Sequence, residues 1–225
     1  CEAKGISLYH FTDEEILFKW DIVKSVLNVA LGNISTKIPA RKCTIKTVDN
    51  KTYELFCKEN HLLGPGVASI RLGLFFKDSL VSVMSFSKSR YDKTYNWEMI
   101  RFCSKNDTIV MGAASKLFKH FCKSYNNRVI SYSNRRYSQG NLYEKLGFTF
   151  LRYSPPSYVY TDGVSTYSRY QCQKHKLKKL LGKGFDEHSS EEDNMIRNGF
   201  MKVWDCGNKV YGIEEMSPLS VLDIC

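Results

Sequence analysis

Asn127-Arg128-Val129-Ile130-Ser131-Tyr132-Ser133-Asn134-Arg135-Arg136-Tyr137-Ser138-Gln139-Gly140-Asn141-Leu142-Tyr143-Glu144-Lys145-Leu146-Gly147-Phe148 is the stretch that decides the fold. Val129 to Ser133 is rich in β-formers and reads as a short strand. It runs into a polar loop, Asn134 to Gly140, carrying two arginines, a tyrosine and a glycine. Asn141 is placed to cap a short helix, Leu142 to Leu146. Gly147 stands where a helix needs a left-handed terminator before a new strand begins at Phe148. The loop is thus held between two rigid elements, the setting in which binding and catalytic side chains are usually carried.

Working upstream, Ile70–Phe76 and Ser79–Phe86 read as two strands joined by Lys77-Asp78, and Tyr95–Cys103 as the next, with Tyr91 to Tyr95 as the exposed turn. Arg41 to Val48 alternates basic and apolar residues like a half-exposed strand. Thr52 to Asn60 is weakly helical and is broken by His61-Leu62-Leu63-Gly64-Pro65-Gly66. After Asn106-Asp107-Thr108, small residues at Gly112, Ala113, Ala114 and Ser115 open a helix. Its apolar face is Leu117, Phe118, Phe121 and Cys122, with Lys116, Lys119 and Lys123 opposite.

Downstream, Thr149–Tyr153 and Tyr158–Thr161 flank Ser154-Pro155-Pro156-Ser157, and Asp162-Gly163 turns into Thr166–Tyr170. A basic helix follows with Lys174, Lys176, Lys178, Lys179 and Lys183, then a short acidic helix, Glu191 to Arg197. Gly199 to Tyr211 closes the pattern, and Ile213 to Cys225 reads as a loose tail. This order implies an α+β fold: a mixed, mostly antiparallel sheet flanked by helices. No internal repeat interrupts it.

At the other end, Gly5 to Phe11 alternates like a strand. Thr12 and Glu15 have the spacing of a capping box, with Phe11 and Ile16 at staple positions. Ile16, Trp20, Val23, Leu27 and Ala30 form one apolar helix face that Gly32 terminates. Asn33 to Ala40, with Ile38-Pro39, reads as a linker. The chain opens on Cys1 and not on methionine, and reads as a fragment whose natural start lies upstream.

The chain has 225 residues, 43% hydrophobic and 13% aromatic, which is a globular composition and excludes a disordered one. The most hydrophobic region, Ser69 to Phe86, is broken by Arg71, Lys77 and Asp78, so no membrane span is expected. The 33 Lys and Arg against 23 Asp and Glu give a formal charge of +10. Such an excess suits a polyanionic partner, nucleic acid first, and also serves simple solubility. Eight cysteines include no Cys-x-x-Cys pair, and several sit in apolar runs. They are expected to be free thiols in a reducing cytoplasm. Cys172 and His175 have a metal-like spacing but no second pair at zinc-finger distance, so no metal site is expected.

Asn141 to Phe148 resembles the Tyr-Glu-Lys-x-Gly-Phe ending of GNAT-type acyltransferases. With Glu98-Met99-Ile100-Arg101-Phe102-Cys103 upstream, the resemblance, over Arg41 to Tyr211, narrows to the GNAT-like domain of phage Mom-type DNA-modification proteins. That domain also forms the C-terminal half of many phage homing endonucleases, which this chain resembles most closely. Residues 1–36 are similar to the closing strand and helix of a Vsr-like nuclease domain, residues 37–212 to the GNAT-like domain, and residues 213–225 are the tail. The resemblance implies that the nuclease carboxylates, its histidine and its divalent metal lie upstream, so His10 is given no role. It implies the host cytoplasm if the chain is virus-encoded.

In Mom-like proteins a histidine in the first loop, the strand arginine and a later acidic residue line the pocket. His61 and Arg101 match, but Asn134 stands where the acid would be. An amide can only hydrogen-bond, so acyl transfer is expected to be weakened or lost. Glu98 is either a substitute base or an ion-pair partner of Arg101. The resemblance implies acetyl-coenzyme A as the one cofactor to consider, its pyrophosphate on Gly112, Ala113, Ala114 and Ser115 at a helix start. Close helix–sheet packing explains the same small residues.

Arg135 and Arg136 are the expected phosphate contacts, with Tyr137 stacking on a base and Lys174, Lys176, Lys178 and Lys179 as further contacts to DNA. The expectation is a sheet that splays open beside the Asn134–Tyr137 loop and presents a cationic rim to DNA. The alternatives are an acyl-coenzyme A-dependent N-acyltransferase acting on a base or another amine, and a structural domain with a degenerate pocket.

Overall fold

The computed structural model describes residues 1, 4–125 and 128–214; Asn127 and the tail beyond Glu214 lie outside that range. The expected capping box closes: Glu15 N–H donates to Thr12 Oγ1 (3.2 Å) and Thr12 N–H to Glu15 Oε2 (3.0 Å), starting α1 (Asp13–Phe18). Two neighbouring expectations fail. Gly5–Phe11 is not a strand and pairs with none of the described strands. It runs as irregular chain along the organising loop, with one backbone bond from His10 N–H to Arg136 O (2.7 Å).

The single helix expected through Ala30 breaks at Lys19 (φ −133°, ψ 30°) into α1 and α2 (Trp20–Ala30). The break turns the second helix so that Ile22, Val23 and Ser25 are buried, while Ile16, Trp20 and Ala30 are exposed. Phe11 packs with Ile22, Val23 and Leu62, and the staple to Ile16 is not made. The supposed linker contains β1 (Thr36–Pro39), parallel to a later strand, Thr108–Met111, with Thr36 opposite Thr108 and Pro39 opposite Met111.

The main sheet begins with β2 (Thr44–Thr47). Asp49 then caps α3 (Asn50–Asn60), its Oδ1 accepting from Thr52 N–H at 3.0 Å. β3 (Ile70–Phe76) and β4 (Ser79–Lys88) are joined through Lys77 and Asp78, both at positive φ, the conformation of a tight two-residue hairpin. β5 (Trp97–Ser104), β6 (Thr108–Met111), α4 (Ala113–Ser124), β7 (Val129–Asn134), α5 (Asn141–Lys145) and β8 (Thr149–Tyr153) follow.

Residues 154–207 then form a small unit: β9 (Tyr158–Thr161), β10 (Thr166–Ser168), α6 (Lys174–Leu181), α7 (Glu191–Arg197) and β11 (Met201–Trp204). Its sheet order is β10-β9-β11, and its core gathers Tyr160, Cys172, Leu177 and Met195. β12 (Asn208–Ile213) returns to the main sheet, whose seven strands run β2-β3-β4-β5-β7-β12-β8. Every contact in it is antiparallel except β5 with β7. The fold is therefore the expected α+β arrangement of a mostly antiparallel sheet with helices.

One face of the sheet carries α4, whose Leu117, Phe118 and Phe121 pack with Phe86, Trp97 and Phe148; the Phe86 and Phe121 rings stack at 3.6 Å. Burying each such ring contributes about 1.5–3 kcal/mol over leaving it in water. The other face takes α3 through Tyr53, Phe56 and Cys57 against Val83 and Cys103. At α5, Gly140 (φ +93°) is the cap and Asn141 the first helical residue, so the expected Asn141 cap is not formed. A Cβ at Gly140 would overlap the Tyr211 hydroxyl. Gly147 is left-handed (φ +84°), as its place after the helix requires.

The N-terminal helices dock on loops of this sheet. Ser25 Oγ accepts from Asp107 N–H (2.9 Å), Asn28 Nδ2 donates to Asp107 Oδ1 (3.1 Å) and Lys19 Nζ donates to Leu62 O (2.9 Å).

Candidate functional site

The site is set by a β-bulge. Ser85 of β4 faces Arg101 of β5 while Phe86 faces Met99, which leaves Ile100 without a partner. Trp97 and Met99 belong to the α4 face. Without the extra residue, period-two alternation would send Arg101 and Cys103 there too. With it, Phe102 packs on the α4 side while Cys103 joins the α3 side. Arg101 also turns toward the loop after α3, its Nε donating to Gly64 O and its Nη1 to Ile100 O, both at 2.8 Å.

The parallel contact of β5 with β7 consists of Trp97 opposite Val129 and Glu98 opposite Ile130, and there it ends. Met99 O lies on the same strand edge as Trp97 and would accept the next rung. It accepts the Ser131 hydroxyl instead (2.9 Å), and Tyr143 Oη lies 3.2 Å from that hydroxyl. Beyond this point a cleft of about 540 Å³ opens between the strands. Leu142 and Tyr143 line it from the α5 side, and Arg90, Glu98, Tyr132 and Arg152 from the other. His61, Arg101, Asn134 and Tyr137 complete the wall. The four residues singled out as a pocket, His61, Glu98, Arg101 and Asn134, thus meet in one cavity.

Their environments differ from expectation. Glu98 is buried and is bound by Arg90, Nε to Oε2 at 3.2 Å and Nη2 to Oε1 at 2.6 Å, so its ion pair is with Arg90 and not with Arg101. That hydrogen-bonded pair holds the Arg90 guanidinium above its ordinary pKa. His61 Nδ1 accepts from Leu63 N–H (3.1 Å). Burial, then the positive charges of Arg101 and Lys19, push its pKa down to about 3, so the ring is neutral with its proton on Nε2. Burial also pushes the Tyr137 phenol up to about 12. The Tyr132 hydroxyl is buried in the cleft wall without a hydrogen-bond partner.

The organising loop is internally committed. Asn134 Oδ1 accepts from Arg136 N–H (3.0 Å), which makes this amide a turn-former and not a substitute for an acid. Arg136 donates Nη1 to Glu15 Oε2 (3.0 Å) and Nη2 to Glu15 Oε1 (2.8 Å), with side chains 14% and 7% exposed. It is an internal anchor and not the expected phosphate contact. Tyr137 packs with Phe11, Ile22, Val23 and Leu62, so its ring is not presented for stacking on a base. Arg135 is exposed, stacked over the Tyr153 ring at 4.6 Å and donating to Cys206 O (3.1 Å).

The expected phosphate cradle is not at the cleft. None of Gly112, Ala113, Ala114 and Ser115 lines it; Ala113 and Ala114 are buried in the main core, and Lys116 Nζ ties the helix start to Ala40 O and Cys43 O. Ala113 and Ala114 pack α4 closely on the sheet, while Gly112 is exposed and Ser115 half-buried. On α6, Lys174, Lys178 and Lys179 are exposed, while Lys176 Nζ donates to Tyr170 O (2.9 Å); none of the four lines the cleft. Cys172 is buried and His175 exposed, and among the described residues no group of three or more His, Cys, Asp and Glu is gathered to hold a metal. The seven described cysteines are free thiols. No described helix is long and apolar enough to cross a membrane.

Sequence reasoning missed Arg90, Tyr132, Tyr143 and Glu15. Glu15 carried a signal, the capping box, which accounted for its carboxylate and so concealed the reach to Arg136. Arg90 carried none, since its pairing depends on the turn between β4 and β5. In comparisons with known proteins, the chain matches no family model and no curated protein.

Proposed function

We propose that this chain engages DNA through a GNAT-like domain of the Mom-related kind that ends phage homing endonucleases, its cleft holding a ligand without transferring an acyl group. The observation that carries this reading is the two-rung contact between β5 and β7 and the through-sheet cleft beyond it, with Arg90, Arg101 and Arg152 in its wall. A splayed, basic mixed sheet is what the sequence resemblance implies. The formal +10 charge adds the electrostatic attraction to phosphate. The neutral His61, the Arg90-bound Glu98 and the turn-forming Asn134 support binding over proton transfer.

The second reading is an acyl-coenzyme A-dependent N-acyltransferase. It is favoured by the size of the cleft, about 540 Å³, and by a lining that includes Leu142 and Tyr143 as well as His61 and Tyr137. The residues expected to hold the donor's pyrophosphate do not fit it, because the α4 start is outside the cleft.

DNA binding over a salt series, with acetyl-coenzyme A present and absent, tests both. The expected result is affinity that falls with salt, a slope reduced by about 0.9 in Arg135→Ala on duplex DNA, and no acyl product. Acyl transfer to DNA would establish the second reading, and no affinity at low salt would end the first.

A further inference from the structure

We propose that the unit inserted between β8 and β12 is a separate contact surface for an unpaired DNA strand, an inference that rests on the chain's engaging DNA. Residues 163–185 hold Arg169, Lys174, Lys176, Lys178, Lys179 and Lys183 with no Asp or Glu among them. In the fold, α6 carries four of these cations and keeps its leucines inside. Leu177 is buried in the unit's core and Leu180 and Leu181 pack beside it, so the apolar side of α6 is fully used inside. Lys174, Lys178 and Lys179 are left in water. A basic helix whose apolar side is occupied has none left to insert into a bilayer.

Aromatic faces lie beside these cations. Tyr170, just ahead of α6, is 70% exposed, with Lys176 Nζ over its ring. Arg169 lies 5.4 Å over the Tyr158 ring, which in turn meets Trp204 edge-on at 5.1 Å. Trp204 is 58% exposed. Within a duplex the base faces are stacked on one another; only unpaired bases can use an exposed ring, and each such stack contributes a sequence-tolerant share of affinity.

The surface is bounded on one side by acids. α7 starts with Glu191, Glu192 and Asp193; Glu192 holds Lys202 Nζ at 2.7 Å and Glu191 accepts from the Tyr158 hydroxyl at 3.2 Å. Phosphates are repelled there. The strand therefore runs along α6, with Tyr170 as its main stacking position.

The test measures polarisation of a labelled single strand and of the duplex of the same sequence, over a salt series, with the whole chain. The variants are Lys174→Glu/Lys178→Glu/Lys179→Glu, Tyr170→Ala and Arg135→Ala, all at exposed positions. The triple variant is expected to weaken single-strand binding by about tenfold or more, with a salt slope lower by about 2, and to leave duplex binding within about threefold. Tyr170→Ala is expected to weaken single-strand binding by about fivefold or more with the slope unchanged.

Wild-type single-strand affinity that survives the triple substitution overturns this inference and leaves the DNA reading standing. Equal losses on both probes overturn it too, because the surface would then not select the unpaired strand. A wild-type chain that binds neither probe overturns the DNA reading itself.

Discussion

Glu15 and Arg136, 121 residues apart, are joined by two hydrogen bonds of 3.0 and 2.8 Å inside the protein, and the same Glu15 carboxylate caps α1. Removing one member leaves the other charge buried and uncompensated, which costs about 3–5 kcal/mol. Glu15→Ala is therefore expected to lower unfolding free energy by that amount in urea titrations. Glu15→Gln with Arg136→Met is expected to cost less than the sum of the single changes. Additive costs would show that the two side chains do not depend on one another.

Acid lowers stability in two windows. Burial raises the Glu15 carboxyl pKa, but Arg136 and the Thr12 N–H outweigh it, so the folded value lies below the ordinary 4.5. Its contribution is complete above 4.5 and is lost as pH falls through the lower, folded value. For His61 the unfolded chain takes a proton near the ordinary 6.5 and the folded chain only near 3, so stability declines as pH falls between those limits. The slope from this one proton is at most about 1.4 kcal/mol per pH unit. His61→Gln is expected to flatten the curve between pH 6.5 and the carboxylate range, measured by urea midpoints across pH.

Arg101 donates to two carbonyls, Gly64 O and Ile100 O, both at 2.8 Å. Arg101→Met keeps the aliphatic stem and orphans both, at about 1–3 kcal/mol for each one that stays dry. Faster amide exchange in residues 62–66, with exchange in α4 unchanged, is the expected signature.

Gly140 is held at φ +93° with the Tyr211 hydroxyl where a Cβ would lie. Gly140→Ala combines the left-handed strain of about 1–2 kcal/mol with this overlap. A loss of about 2 kcal/mol or more in thermal unfolding is expected. Adding Tyr211→Phe is expected to return part of it.

Most of the order from Arg41 to Arg197 was legible because those strands and helices carry their own period and turn chemistry, whereas β6 was not read and β11 and β12 were seen only as one closing stretch. Lys77-Asp78 marked the hairpin and Gly147 the helix end. What was not legible depended on contacts across long separations. The Ile100 bulge, which decides which way Arg101 points, is an event in the pairing of two strands and leaves no trace in the composition of either. Lys19 looked like an ordinary helical position, and only the docking of α2 on Leu62 and Asp107 required a break there. Arg135 and Arg136 are neighbours of the same type, yet one lies in water and the other against Glu15; a partner so distant in the chain cannot be read from either. His61, Glu98, Arg101 and Asn134 were brought together as expected, but their protonation and pairing came from burial, Arg90 and the loop's own hydrogen bonds.

With only two rungs between β5 and β7, the seven-stranded sheet behaves mechanically as a four-stranded blade and a three-stranded blade. Hydrogen bonding alone would let them swing apart. α4 acts as the splint, since Phe121 stacks on Phe86 of the first blade while Phe118 lies 5.1 Å from Phe148 at the threshold of the second. The width of the opening between the blades is thus governed by aromatic packing on the face opposite α3, well away from the charged wall that a ligand would meet.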